Sequence, residues 1–159
     1  MLLENIDNIK NFTTHLFSKN TFDYCMVNEV KISTYSTFTI DGHLNYDYFS
    51  DEEKNDINNE HLVSWSKLRP ICFDLIKGKK LPISFSIIFA MKRSFLNKLI
   101  NENNIDIDPE DINDLFMNIK YKDDKLTLTT GVSLKIFTLD KSLENAFDKY
   151  ISNFISTLS

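Results

Sequence analysis

Glycine is scarce: Gly42, Gly78 and Gly131 are the three in 159 residues, against a usual share of roughly 7%. They stand too far apart for a glycine-rich phosphate loop, which excludes both G-x-G-x-x-G and Walker A sites. Proline is as rare, again three. Neither a Pro/Ser/Gly-rich linker nor an internal repeat breaks the chain, so residues 1–159 are expected to form a single globular domain. The two cysteines, Cys25 and Cys72, make no C-x-x-C and are too few for a disulfide framework. Both read as small buried hydrophobes in a reducing compartment. Long apolar runs are missing. The most apolar stretch, 83–91, contains Ser84 and Ser86 and is far too short to cross a bilayer; the first residues carry acids where a signal peptide needs lysines. A cytoplasmic protein with no membrane association is the expectation. Arginine stands only at Arg69 and Arg93, so lysine supplies the other 16 of 18 basic residues.

What is present suits a folded domain: 42% hydrophobic and 26% charged residues exclude a disordered chain. A net charge of −5 argues against nucleic acid and anionic membranes as principal partners. Hydrophobic spacing then predicts the elements. Ile6, Ile9, Thr13 and Leu16 share a face at helical spacing over about 5–18. Alternation through Val30, Ile32, Thr34, Ser36, Phe38 and Ile40 predicts one long strand with a polar face, and Asp41-Gly42 a turn into a returning strand at 43–49. Ser50 and Glu53 have capping-box spacing. A helical region in two pieces follows, with Pro70 forcing a kink or a fresh start after Arg69 and Gly78 ending the helix. Residues 83–91 alternate as a buried strand, Ser94 caps a short helix, and Asp108-Pro109 opens another. A two-residue turn at Asp123-Asp124 pairs Tyr121 with Leu126 and Ile119 with Leu128. The inward parity continues through Val132, Leu134 and Ile136 without a bulge at Gly131. A last helix starts near Thr138 or Asp140 and carries the stripe Leu143, Phe147, Tyr150, Phe154 and Leu158. The expected fold is α+β in two layers: an antiparallel sheet with helices on one face and a polar sheet face opposite.

Three passages carry a resemblance. They are Thr37-Phe38-Thr39-Ile40-Asp41-Gly42-His43-Leu44-Asn45; Trp65 followed by the run from Arg69-Pro70-Ile71-Cys72 to Lys79-Lys80-Leu81-Pro82; and Asn118 to Tyr121 with Thr130-Gly131-Val132-Ser133 to Glu144. Together they resemble an uncharacterised domain-of-unknown-function family from anaerobic Gram-positive bacteria, across nearly the whole chain. The resemblance implies a cytosolic single-domain protein and transfers no activity, cofactor or site residue. Gly131-Val132-Ser133 stands where that pattern has Gly-Thr-Ser.

The sharpest candidate surface is a basic segment, Arg69, Lys77, Lys79 and Lys80, in an otherwise acidic chain. With Arg69 before a helix and Lys79 after it, the two lie about 10 residues or roughly 15 Å apart. That span suits an extended polyanion or an acidic protein surface better than one phosphate. Trp65 keeps register with Leu62 and Leu68 and is expected in the core. The polar sheet face, with Lys31, Thr37, Thr39, Asn118, Lys120 and Thr127, is a second flat platform. His43, just after Asp41-Gly42, has the spacing for an acid–base pair with Asp41. No other catalytic constellation is visible. Gly131-Val132-Ser133 is not a G-x-S-x-G elbow, and Cys72 has apolar neighbours. His15, His43 and His61 lack H-E-x-x-H, and 106–111 lacks the glycine and the bidentate acid of a calcium loop, so neither metal nor cofactor is expected. The expected function is a small non-enzymatic binding or interaction module, its partner an unknown protein or polyanion. The alternatives are a nucleic-acid or polyanion binder through Arg69 to Lys80, and a hydrolase-type enzyme using Asp41 and His43. Asp41 and His43 converging in the largest pocket favours the enzyme; an open surface there favours binding.

Overall fold

The computed structural model describes residues 1–57, 60–78 and 80–158. In chain order the elements are β1 (Leu3–Ile6), α1 (Ile9–Thr13), which runs on into a π-helical turn over Thr14–Ser18, β2 (Met26–Ser33) and β3 (Thr37–Asp41). After these come a 3-10 turn at Tyr46–Tyr48, α2 (Asp51–Asp56), β4 (Val63–Ser64), α3 (Trp65–Ile76), β5 (Ser84–Ala90) and α4 (Arg93–Glu102). A 3-10 turn at Pro109–Asp111, β6 (Ile112–Lys122), β7 (Lys125–Leu134) and α5 (Ser142–Ser156) complete the chain. The strands make one seven-stranded antiparallel sheet in the order β1-β7-β6-β5-β2-β3, with β4 on β2 as well. The protein is α+β.

Local chemistry explains the best-defined pieces. Asp123 and Asp124 take φ of 52° and 60°, the left-handed pair that a two-residue hairpin turn demands and that Asp tolerates. Tyr121 then pairs with Leu126 and Ile119 with Leu128, and the ladder crosses Gly131 without a shift. The one irregularity on this pair falls between Ile112 and Asp114. Ser50 Oγ accepts from the Glu53 amide while Glu53 Oε1 accepts from the Ser50 amide, a complete capping box. Asp108 caps the 3-10 turn by accepting from the Glu110 amide.

One side-chain parity carries the core. Val30 and Ile32 of β2, Phe85, Ile87 and Phe89 of β5, Leu115, Met117 and Ile119 of β6 and Leu126 and Leu128 of β7 form one buried cluster. Phe12 of α1, Trp65 and Cys72 of α3, Leu96 and Leu99 of α4, and Phe147 and Ile151 of α5 complete it. No residue of α2 is buried. The opposite parity is polar along most of the sheet, with Lys31, Thr37, Thr39, Asn118 and Lys120 exposed. At one corner it is apolar instead: Met26, Ala90 and Phe116 are cross-strand neighbours that join Leu62 in a second small cluster.

Several expected boundaries move, each because a tertiary partner outweighs the local pattern. The expected helix over about 5–18 starts later: Asn5 and Ile6 belong to strand β1, because residues 3–6 pair with Leu126–Thr129 of β7. The long strand is a hairpin: the chain reverses at Thr34–Ser36, and Ile32 faces Phe38 directly. The even spacing between them preserves parity, so alternation hides the turn. Residues 43–49 form no strand, only a single bridge from His43 to Leu62. Pro70 lies inside α3 without breaking it. The bond it removes is outweighed by the burial of Trp65 and Cys72, two turns apart on either side of it. Helix α4 begins at Arg93 rather than at a Ser94 cap, and α5 begins at Ser142. Ile136 lies past the end of β7 and is exposed. Among the described residues, no helix is long and apolar enough to cross a membrane.

Candidate functional site: an apolar groove at the end of α3

Gly78, with φ of 138°, occupies backbone space that side chains disfavour. It follows the end of α3 and starts the connection to β5. A groove of about 570 Å³ opens beside this corner, within the roughly 300–1,000 Å³ of small-molecule sites. Ile9, Thr13 and Thr14 of the first helical segment line it together with Phe73 and Ile76 of α3, and Leu81 and Pro82 extend it. Phe85 and Tyr121, cross-strand partners with rings stacked 5.4 Å apart, complete the lining. Leu81 is 80% exposed and Phe73 39%, so apolar surface stays open to solvent. Polar atoms are few. The Tyr121 hydroxyl donates to Asp124 Oδ1 at 3.2 Å; burial first, then this carboxylate, pushes the phenol up and keeps it protonated. Lys10 and Lys77 are the cations among the lining residues.

The structure divides the expected basic segment. Arg69 does not precede a helix; it lies within α3 because Pro70 starts no new one. Its Nε and Nη2 donate to Asp23 Oδ1 and Oδ2 at 2.8 and 3.0 Å, a bidentate pair that raises the guanidinium pKa further, chiefly through the hydrogen bond. Arg69 is thereby committed to Asp23. Lys77 caps the end of α3, pairs with Asp74 at 3.0 Å and lines the groove. Lys80 is exposed and lies outside the groove lining. Lys79 lies outside the described residues. Of the four basic residues, Lys77 lines this groove, while Arg69 lines a separate, smaller concavity of about 280 Å³ with Pro70, Phe73 and Asp74. Ile9, Lys10 and Thr13 carried no sequence signal for the groove, because the fold brings them there from more than sixty positions away.

The Asp41–His43 pair forms as its spacing suggests: His43 Nδ1 is 2.6 Å from Asp41 Oδ1, which also accepts from the His43 amide at 2.9 Å. The pair does not converge in the groove. The side chains are 55% and 76% exposed, on the open edge of the sheet. Beside it stands a second pair the sequence did not suggest. His61 Nε2 is 3.8 Å from Asp114 Oδ2, and the His43 and His61 rings lie 6.1 Å apart. Bridging between His43 and Leu62 brings them together. Among the described residues, no group of three or more His, Cys, Asp or Glu side chains is arranged to hold a metal ion. Cys25 and Cys72 are buried, and burial pushes both thiols up to about 12, so neither is a ready nucleophile at neutral pH.

These carboxylates offer a pH prediction. The His43 amide, followed by its ring, holds Asp41 below its ordinary value, whereas burial pushes Asp114 up against the opposing charges of His61, Arg93 and His43. A depressed carboxylate stabilises the fold at neutral pH and loses that contribution as pH falls through its folded pKa; a raised one acts in the opposite sense. Side-chain carboxyl NMR titration is expected to place Asp41 below and Asp114 above the ordinary aspartate midpoint. The reverse order contradicts the geometry.

The chain belongs to the family of unknown function DUF5721, which matches over residues 15–159. The groove residues from α1 to Thr14 lie before that match. No curated protein and no solved structure matches the chain.

Proposed function

We propose that the protein is a small non-enzymatic binding module of the bacterial cytoplasm whose ligand occupies the groove between the first helical segment and the end of α3. The observation that carries this reading is an apolar concavity of about 570 Å³ floored by rigid strands and bounded by helices, the usual form of a small-molecule site. The two buried free thiols suit a reducing compartment. A polyanion along Arg69 to Lys80 is less favoured, because Asp23 already neutralises Arg69. The Asp41–His43 contact supports a hydrolase as the second reading; its exposure outside this groove sets it below binding.

A neutral, environment-sensitive dye such as Nile red tests the groove. Saturable fluorescence enhancement is expected, weakened at least tenfold in Leu81→Asp, a loss of about 1.4 kcal/mol. Leu81 is largely exposed, so the substitution leaves folding intact. An absent signal, or one unchanged in the variant, overturns the groove as the site.

A further inference from the structure

We infer that the groove selects an amphiphile with a single anionic head group, of the alkyl carboxylate class; this rests on the groove reading above and adds the chemistry of the ligand. Two cations line the groove, Lys10 from α1 and Lys77 from α3, against one acid, Asp124. Asp124 is engaged by the Tyr121 hydroxyl. Lys10 makes no ion pair among the described residues. Lys77 pairs only with Asp74, an exposed contact three residues away on the same helix, of the kind a ligand anion exchanges at little cost. With two cations against one carboxylate, the lining carries a net charge of +1 and has capacity for one anion. A polyanion finds no continuation: Arg69 is bound to Asp23 and Lys80 lies outside the lining. Most of the remaining lining is apolar, with Ile9, Phe73, Ile76, Leu81 and Phe85, side chains that offer no hydrogen bonds and favour methylenes. Apolar walls also lower the local dielectric and strengthen attraction between the head group and the lysines. A cationic or zwitterionic amphiphile meets the wrong charge, and a neutral one leaves the lysines unused.

Displacement of the neutral dye from the full chain tests this with decanoate, decanol and decyltrimethylammonium, all below their micellar concentrations. Decanoate is expected to bind about tenfold tighter than decanol, through partly screened attraction to the lysines. The advantage is expected to shrink with added salt and to vanish in a Lys10→Ala, Lys77→Ala double variant that still binds decanol. Both lysines are exposed, and circular dichroism confirms that the variant is folded. Across hexanoate, octanoate and decanoate, affinity is expected to rise about fourfold per methylene, the usual worth of a buried CH₂. Decanol binding as tightly as decanoate, or a preference for the cation, overturns the head-group inference while the groove reading stands. Dye that binds but is displaced by none of the three also overturns the head-group inference, and dye that does not bind overturns both readings.

Discussion

Gly42→Ala is expected to destabilise the protein by at least the roughly 1–3 kcal/mol usual for overpacking, and to lower the denaturant midpoint sharply. A Cβ at this position would stand 1.8 Å from the Val27 carbonyl oxygen and 2.6 Å from its carbon. Such distances are impossible without moving backbone. The backbone in question is β2, which is pinned by β5 on one side and by β3 and β4 on the other. Gly42 sits where the edge of β2 passes from β3 to β4. Its amide donates to the Asn28 carbonyl at 2.9 Å, and its own carbonyl accepts from Val63 at 2.8 Å. The ladder shift in β2 between Val27 and Glu29 lies opposite, so two irregularities meet and neither can relax independently. Gly131→Ala is the control: nothing lies within 4 Å of its added Cβ, and it should be tolerated or slightly stabilising. Urea denaturation followed by circular dichroism compares the two. A Gly42→Ala midpoint equal to that of Gly131→Ala is incompatible with the close approach to β2.

The second large effect is expected at Trp65. Replacing it with alanine should cost about 3–5 kcal/mol, the range for truncating a large buried aromatic. Trp65 is fully buried, meets Phe17 and Phe89 edge-on at 5.9 and 5.3 Å, and donates from Nε1 to the Leu16 carbonyl at 2.9 Å. That carbonyl lies in the last turn of the first helical segment, where no further helical amide follows to satisfy it. Trp65→Phe keeps a six-membered ring but loses the pyrrole portion and its hydrogen bond, so it should cost the roughly 1–3 kcal/mol of an unpaired buried acceptor plus a smaller packing loss. Trp65 is the single tryptophan, so unfolding of both variants is read by circular dichroism rather than fluorescence. A Trp65→Ala cost below Trp65→Phe contradicts the packing. Trp65 also reaches the groove: Phe17 touches it and lies edge-on to Phe85 at 5.2 Å, and Phe85 lines the groove floor. Ligand affinity should therefore fall in Trp65→Ala even under conditions where the variant remains folded.

What was legible in the sequence is what a few neighbouring residues decide. Asp123-Asp124 set a two-residue hairpin and, through it, the pairing of Tyr121 with Leu126, because the turn's backbone leaves one register that buries both strands' apolar residues. Ser50 and Glu53 close a capping box across three positions. Val30, Ile32, Phe38 and Ile40 share a parity whether the chain turns between them or runs straight, which is why their facing was readable and the hairpin was not. The Asp41–His43 contact spans two residues and formed as its spacing suggested.

Everything that makes a candidate site came from farther away. Strand pairing with β7 drew Ile6 into β1 against its helical spacing with Ile9 and Thr13. Core burial of Trp65 and Cys72 carried α3 through Pro70, and that continuity placed Arg69 against Asp23, 46 residues earlier, rather than toward an external anion. A bridge from His43 to Leu62 set two imidazoles side by side. The groove required α1, the end of α3 and the paired β5 and β6 strands to meet, three segments with no shared local pattern. Caps, turns and alternation are governed by backbone geometry over a few residues and are written in sequence order. A concavity is the space left between elements after their apolar faces have been buried against one another, so only the packed chain determines where it lies and which charges border it.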